Sequence, residues 1–181
     1  MKFLKTLLAV VGLLAAFLIA GPAPAQAAPY CGITWGSLAK SAGTGSSATV
    51  SNVRTGRQDC FDRLVVDIKG SANGYSVRYV SAVTSPGKGD VVPLRGGAFL
   101  QVTVLDPAYN AAGQPTYLPA NRNELSNVAG YSTFRQVALA GSFEGRTSLG
   151  LGVRARLPFR AFVLHGPGDT TRIVVDVAHR W

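Results

Sequence analysis

The residues that could support catalysis or metal binding are few in this chain of 181 residues. It contains two histidines, His165 and His179, and two cysteines, Cys31 and Cys60. Neither histidine stands at a metal-ligand spacing from a cysteine, another histidine or a carboxylate on a shared face. The sequence therefore predicts no metal site, and both histidines are expected at the surface.

The motifs of serine hydrolases and nucleotide-binding proteins are also missing. In the segment GSFEG at residues 141–145 the serine directly follows the first glycine, so it does not match the Gly-x-Ser-x-Gly nucleophile elbow. The segment GLG at residues 150–152 lacks the third glycine of a nucleotide-binding fingerprint, and no helix is predicted after it. We therefore predict that the protein is not an enzyme and uses no cofactor.

One hexapeptide occurs twice, as RLVVDI at residues 63–68 and as RIVVDV at residues 172–177. Its carboxylates, Asp67 and Asp176, could be imagined as the acid and base of a glycosidase. Alternation along a strand instead gives each copy an unbroken apolar face and a face of Arg, Val and Asp. Antiparallel pairing of the two copies would place the arginine of each opposite the aspartate of the other. We therefore interpret both carboxylates as part of the sheet.

The elements that carry these residues are predicted to be strands. From Val50 onward, alternating apolar residues are separated by turn residues, with no convincing helical period. The predicted strands cover residues 61–69, 75–83, 91–94, 98–105, 131–144, 147–155, 159–165 and 171–179. Together with the repeated hexapeptide, this pattern predicts an all-β fold, a small β-sandwich of two antiparallel sheets with pseudo-symmetric halves.

The first 27 residues have the organisation of a signal peptide. Lys2 and Lys5 precede an apolar stretch over residues 7–20, and a small-x-small site ends at Ala27, near which we expect cleavage. An uncleaved membrane anchor is the alternative, because the apolar stretch approaches the length of a bilayer span. The protein is accordingly expected to be exported, either secreted or associated with the cell envelope.

A flexible N-terminal arm and Gly/Ser-rich linker are predicted over residues 28–49, followed by one folded domain over residues 50–181. In an exported chain, Cys31 and Cys60 are predicted to form a disulfide that tethers the arm to the first strand. The loop-entropy treatment of such a link gives about 3 to 4 kcal/mol of stabilisation. Trp35 is expected to pack near the disulfide, with stacking on a sugar as the alternative.

The charge balance is basic. The formal net charge is +9, and about +7 remains once Lys2 and Lys5 are removed with the signal peptide. An exported basic protein is expected to meet anionic envelope polymers, acidic glycans or lipid head groups, and not nucleic acid. The alternative is that the charge only maintains solubility.

Four arginines within fifteen positions are the first candidate ligand contacts: Arg146, Arg154, Arg156 and Arg160. Arg154 and Arg156 are two apart on a predicted strand and would project from the same face. Paired guanidinium groups can bind carboxylate or phosphate with fixed geometry. The alternative is a solvated face, or a sheet edge that its charge protects from pairing.

The second candidate set lies in the irregular segment over residues 106–130. Its length suggests a functional loop, a disordered segment or an insertion, and Tyr109, Tyr117 and Arg122 are groups that could contact a glycan. The alternative is that Tyr117 and Leu118 fold back to cover one end of the sandwich.

Several segments, taken in order, resemble one known family. They are FDRLVVD at 61–67, GYSVRYV at 74–80, ALAGSFEG at 138–145, GVR at 152–154, PFRAF at 158–162 and the second hexapeptide at 172–177. Over about residues 50–179 the chain resembles the AMIN-like domain of exported actinobacterial proteins and, more distantly, the AMIN domain that accompanies cell-wall amidases and secretins. The resemblance implies a non-catalytic β-sandwich that holds exported proteins at the envelope, in the better-known relatives through peptidoglycan.

These observations predict an envelope protein that binds peptidoglycan or another anionic cell-wall polymer, with Arg154, Arg156 and Arg160 as the first candidates for contacts. The alternative is a protein-interaction module that docks another envelope protein through its long loop or a sheet edge. An enzyme acting on cell-wall fragments is the least favoured class. We expect no amidase or secretin domain to accompany this domain.

Overall fold

The computed structural model describes residues 28–181, so the predicted signal peptide lies outside the described residues. The described part is built from eleven strands and one 3₁₀ turn at Tyr30–Gly32. The strands are β1 (Lys40–Ala42), β2 (Thr49–Arg57), β3 (Phe61–Lys69), β4 (Tyr75–Val80), β5 (Val83–Thr84), β6 (Val91–Val92), β7 (Ala98–Val104), β8 (Phe134–Phe143), β9 (Arg146–Val153), β10 (Phe159–His165) and β11 (Thr170–Ala178). Over this range no helix is long and apolar enough to cross a bilayer.

The strands form two large antiparallel sheets. The first has the order β1-β4-β7-β9-β8 and the second the order β10-β11-β3-β2, while β5 and β6 pair separately. The predicted all-β sandwich with two antiparallel sheets is therefore confirmed. Part of the segment predicted as a linker, Lys40–Ala42, is a strand that pairs with β4.

The hydrophobic core lies between the two large sheets. Alternation along β3 points Leu64, Val66 and Ile68 inward, and all three are buried. The first sheet contributes side chains of the same kind, including Leu100 from β7 and Leu151 from β9. Burial of this apolar surface is the main favourable contribution to a fold of this type.

The two copies of the hexapeptide are neighbours at the centre of the second sheet. β3 and β11 pair antiparallel about the pair Val65 and Val174, and this register places Arg63 opposite Asp176. The same register places the arginine of the second copy, Arg172, opposite Asp67. The predicted cross-strand pairing is confirmed, and it gives the sheet its pseudo-symmetric centre.

Strand β9 ends earlier than the sequence predicted. It stops at Val153, and Arg154 and Arg156 lie in the bend that carries the chain from the first sheet to the second. The predicted placement of both arginines on one strand face was wrong. The physical reason is that the backbone N–H groups of this bend bond outside the sheet: that of Arg154 to Thr133 O and that of Leu157 to the hydroxyl of Tyr79.

Irregular segments close both open sides of the sandwich. On one side the long loop pairs with the edge of β8, where Leu125 N donates to Val137 O at 2.8 Å. The same loop reaches the edge of β2, because Thr116 Oγ1 donates to Val50 O at 2.8 Å. On the other side the N-terminal arm lies along β10, and Phe159 N donates to Gly36 O. Exposed strand edges that would otherwise invite pairing are thereby covered.

The predicted disulfide is present and fixes the arm. Cys31 and Cys60 are bonded, with a sequence separation of 29 residues. Beyond it, the ring of Trp35 packs edge-on against Phe61 with ring centroids 5.6 Å apart, as expected from the sequence. The arm is therefore part of the domain and covers one end of the second sheet.

Candidate functional site

Arg160, one of the four clustered arginines, belongs to an ion-pair network around a buried carboxylate. Its Nε donates to Asp176 at 2.8 Å, and Arg63 donates to the same carboxylate through two hydrogen bonds of 2.6 and 2.9 Å. Asp176 is fully buried. Its hydrogen bonds raise the pKa of Arg63 despite the partial desolvation of that guanidinium. Trp35 covers the network, with its ring 4.5 Å from the guanidinium carbon of Arg160.

Arg154 and Arg156 also bond within the chain. Arg154 Nη2 donates to the backbone carbonyl of His179. Arg156 donates to the hydroxyl of Ser37 at 3.1 Å and to its carbonyl at 3.2 Å, and its guanidinium lies over the ring of Tyr79. We refer to Arg154, Arg156 and Arg160 as the arm-side arginines, because each fastens the arm or the C-terminal segment to the sandwich.

His179 does not lie at the surface as the sequence predicted. Its side chain is 12% exposed and its Nε2 lies 3.1 Å from an oxygen of the buried Asp62. The other oxygen of Asp62 accepts the backbone N–H groups of Thr133 and Phe134. The residue is drawn inward because its own N–H continues the pairing of β11 by donating to Cys60 O. His165, at the end of β10, is exposed as predicted.

Residues 28–181 contain no cluster of side chains that could bind a metal ion. No group of three or more His, Cys, Asp or Glu side chains is placed there to hold a metal ion. The pair of Asp62 and His179 is enclosed by backbone hydrogen-bond donors, an arrangement suited to fixing the C-terminal end of β11.

Two adjoining clefts open where the long loop meets the hairpin of β8 and β9. The first, the loop cleft, has a volume of about 440 Å³. It is lined by Ala108, Tyr109, Gly113, Pro115, Tyr117, Leu118, Pro119, Arg122, Leu139 and Ser142. The second, the hairpin cleft, has a volume of about 570 Å³. It is lined by Ser85, Pro86, Gly87, Lys88, Asp90, Arg122, Ala140, Gly141, Ser142 and Phe143.

The loop cleft is held in shape by hydrogen bonds between the long loop and the hairpin. The hydroxyl of Tyr109 accepts from Gly145 N at 2.9 Å, and Ser142 Oγ accepts from Ala108 N at 2.9 Å. Tyr117 packs against the core, and its burial raises the pKa of its hydroxyl. Leu118 is 78% exposed, so the expected cover over the end of the sandwich is formed by Tyr117 without Leu118.

The hairpin cleft is held in shape by a closed turn over residues 85–90. Ser85 N donates to Asp90 O at 2.8 Å, and Asp90 N donates back to Ser85 Oγ at 3.1 Å. The turn rests directly on β8 because Gly141 has no side chain. A Cβ there would lie 3.0 Å from Pro86 Cδ, on a backbone with φ of 150°. A larger residue at this position would push the wall of the cleft away from the sheet.

Arg122 lines both clefts and is the cation that connects them. Its backbone carbonyl accepts from Leu139 N at 2.7 Å, which fixes the residue on the edge of β8. Among the hydrogen bonds and ion pairs of residues 28–181, none involves the guanidinium of Arg122 or the ammonium of Lys88. Both residues line the hairpin cleft, and within this range their cationic groups keep their hydrogen-bonding capacity available.

The structure separates the residues that the sequence proposed as ligand contacts. Tyr109, Tyr117 and Arg122 come together in the loop cleft. Arg146 begins β9 next to this cleft, whereas Arg154 follows the other end of the same strand, about 25 Å away at the rise of an extended chain. The four arginines thus do not form one patch.

Sequence reasoning missed three residues of the hairpin cleft, Lys88, Asp90 and Phe143. Lys88 and Asp90 lie in the segment SPGKGD at residues 85–90. This composition predicts a turn, but it does not show which part of the sheet the turn contacts. Phe143 is 49% exposed at the end of β8, a position that alternation alone does not distinguish from a core position.

A sandwich with fixed clefts that gather aromatic and unpaired basic side chains has the features of a ligand-binding domain. The family model of the AMIN-like domain matches residues 48–179, and the chain therefore belongs to the AMIN-like domain family. Domains of this family are non-catalytic binding or targeting modules, typical of cell-wall-associated proteins, which indicates an envelope location. Searches of curated proteins and of solved structures gave no match.

Proposed function

We propose that the protein is an exported, non-catalytic envelope module that binds peptidoglycan or another anionic cell-wall polymer through the loop cleft and the hairpin cleft. The observation that carries this proposal is the position of Arg122. Arg122 lines both clefts and its guanidinium has no internal partner within the described chain, whereas the arm-side arginines are bonded internally.

The chemistry of the two clefts suits a charged glycan. A guanidinium binds carboxylate or phosphate through parallel hydrogen bonds, and Lys88 adds a second positive charge in the same cleft. The rings of Tyr109 and Tyr117 offer flat apolar surfaces with polar tips, against which a sugar ring can pack. The basic net charge adds long-range attraction that salt weakens.

The clefts are also formed before any ligand arrives. Hydrogen bonds fix the turn over residues 85–90 and the start of the long loop, and Pro115 and Pro119 limit the backbone of the outer wall. A site with this little freedom loses little conformational entropy on binding. The Cys31–Cys60 bond further supports export, because such bonds persist in oxidising compartments. We propose cleavage of the signal peptide near Ala27.

Co-sedimentation with purified cell wall tests this function. The double variant Arg122→Gln with Lys88→Gln should bind at least about tenfold more weakly, since it removes both unpaired cations of the clefts. The matched control is Arg78→Gln with Lys69→Gln, which removes two exposed cations elsewhere on the sheets. Equal loss in both double variants, or binding that high salt leaves unchanged, would contradict the proposal.

A second candidate function is docking of another envelope protein, favoured by the exposure of Leu118 and Phe143 on the rims of adjoining clefts. Exposed large apolar side chains on adjoining clefts are typical of an interaction surface. The variant Leu118→Ser with Phe143→Ser separates the two functions. Loss of a captured envelope protein with wall binding retained would favour docking, and the reverse outcome would favour polymer binding.

A further inference from the structure

The outer face of the second sheet carries an array of charged side chains. Alternation along β3 and β11 turns the arginine and the aspartate of each hexapeptide copy away from the core. With the residues that the strand register places beside them, the charged members of this face are Arg54, Arg63, Lys69, Arg160, Arg172, Asp67 and Asp176. Five cations against two carboxylates leave a formal surplus of three positive charges. This is nearly half of the charge of about +7 outside the predicted signal peptide.

The carboxylates of this face lie deeper than the arginines that bond them. Asp176 is fully buried, and the side chain of Asp67 is 23% exposed. The side chains of Arg54 and Arg172 are 49% and 38% exposed. Solvent therefore meets mainly the positive members of these ion pairs, and a partner that approaches the face meets guanidinium groups before it meets a carboxylate.

The end of this face that the arm leaves uncovered combines available positive charge with apolar side chains. Within residues 28–181, no side-chain hydrogen bond involves Lys69 or Arg172, and the ion pair of Arg172 with Asp67 is 3.6 Å long. Leu164 is the cross-strand neighbour of Arg172 and is 40% exposed. The half-buried Phe162 lies two positions before it on the same face. We refer to Lys69, Phe162, Leu164 and Arg172 as the open end of the second sheet.

The chemistry of the open end suits an anionic lipid surface. Head-group phosphates lie in a plane, so a sheet face can meet several of them at once, and each basic residue near such a surface strengthens binding about fivefold. The exposed side chain of Leu164 can enter the apolar side of the head-group region, while the longer side chain of Arg172 reaches the phosphates. A soluble acidic polymer offers the charge but no apolar phase for Leu164.

We propose that the open end of the second sheet docks on an anionic lipid bilayer, with head-group phosphates at Arg172 and Lys69 and with Leu164 in the head-group region. The contact does not depend on the proposed function, because the loop cleft and the hairpin cleft share no residue with the open end. A protein with both contacts holds a cell-wall polymer close to the membrane.

Co-flotation of residues 28–181 with lipid vesicles tests the proposal. Vesicles of phosphatidylglycerol and phosphatidylcholine in equal parts should bind the protein at least about tenfold more tightly than vesicles of phosphatidylcholine alone, and salt should weaken the binding. Arg172→Gln with Lys69→Gln should lower the affinity for the anionic vesicles at least about tenfold. The matched control is Arg122→Gln with Lys88→Gln, which removes the same charge from the clefts and should change this affinity by less than about twofold.

Two single substitutions separate the apolar contact from the charge and from the fold. Leu164→Ser should weaken vesicle binding about threefold, and this loss should persist at high salt because the contact is apolar. Its matched control is Leu118→Ser, which removes an exposed leucine from the long loop and should leave vesicle binding unchanged. Arg172→Lys keeps the positive charge and should bind the anionic vesicles as the unsubstituted protein does.

Three outcomes would overturn the proposal. Equal losses in the two double variants would show attraction by net charge alone. Binding of polyglutamate as tight as that of the anionic vesicles would assign the face to an acidic protein. Displacement from the vesicles by soluble glycerol phosphate at an equal phosphate concentration would reduce the open end to a site for a single anion. Cell-wall binding is measured separately, and Arg172→Gln with Lys69→Gln should leave it intact, so either proposal can fail without the other.

Discussion

The arm side of the sandwich and the pair of clefts use the same residue types in opposite ways. On the arm side, Arg160 and Arg63 bond a fully buried carboxylate under the ring of Trp35. At the clefts, Arg122 and Lys88 face open volume with no such partner in residues 28–181. Removing one partner of such a pair destabilises the fold, whereas an arginine without an internal partner remains available to a ligand.

The hexapeptide shows the same contrast within one sheet. Asp176 of the second copy is fully buried, while Asp67 of the first copy is partly exposed, hydrogen-bonded by Arg54 at 2.8 Å and in a longer ion pair with Arg172 at 3.6 Å. The two aspartates occupy equivalent positions in the pairing of β3 with β11. The difference lies in their surroundings, since the disulfide-tethered arm covers the ion pairs of Asp176 and not those of Asp67.

The largest expected effect comes from breaking the buried network. Asp176→Ala should lower the free energy of unfolding by about 3 to 5 kcal/mol, because it leaves two arginines without a carboxylate in a covered site. Asp67→Ala should cost only about 1 kcal/mol, because water can replace the lost contacts. Urea unfolding of both variants measures the difference, and equal costs would show that the cover over Asp176 has no energetic role.

Removal of the disulfide should have the next largest effect. Cys31→Ser with Cys60→Ser should lower the free energy of unfolding by about 3 to 4 kcal/mol, as the chain-entropy treatment gives for a separation of 29 residues. Wall binding at low temperature should be unchanged, because the clefts lie on other elements. Loss of binding in a variant that is still folded would show that the two regions are coupled.

Truncation of Trp35, which covers the ion pairs of Asp176, should have a smaller effect. Trp35→Ala should lower the free energy of unfolding by about 2 kcal/mol through lost packing on Phe61 and lost contact with Arg160. In the Trp35→Ala background, Asp176→Ala should lower the free energy of unfolding by less than it does in the wild type, since water then reaches the carboxylate. A double-mutant cycle measures this coupling, and strict additivity would contradict the account.

Alkaline pH should produce the smallest effect. Burial raises the pKa of Tyr79, an effect partly offset by its hydrogen bond to Leu157 O and by Arg156. The unfolded chain, with a tyrosine pKa of about 10, therefore loses its proton first, and stability present below that pH falls as pH rises through the folded pKa. Tyr79→Phe should reduce this alkaline loss. An unchanged pH profile in the variant would assign the loss to Tyr75 and Tyr117, whose pKa values burial also raises.

Much of the fold followed from local pattern. Alternation located most strands, and the repeated hexapeptide predicted the pairing of Arg63 with Asp176, because register in a half-buried sheet is set by its apolar face. The end of β9 was not predictable in this way. It depends on where the chain crosses between sheets, which the distant hydroxyl of Tyr79 helps to fix.

The candidate site was predictable in part. The long loop pointed to Tyr109, Tyr117 and Arg122, since a loop of that length in a small domain often has a function. Lys88 and Phe143 come from separate segments that only the folded sheet brings together with the loop. The inward position of His179 likewise depends on Asp62, a contact over 117 residues that no local pattern shows.

The most direct test compares Arg122→Gln with Arg160→Gln in two measurements on the same samples, affinity for purified cell wall and the midpoint of urea unfolding. Arg122→Gln should weaken binding about tenfold and leave the midpoint unchanged. Arg160→Gln should lower the midpoint and leave the affinity unchanged. Weaker binding by Arg160→Gln with full affinity in Arg122→Gln would contradict the account and place the binding site on the arm side.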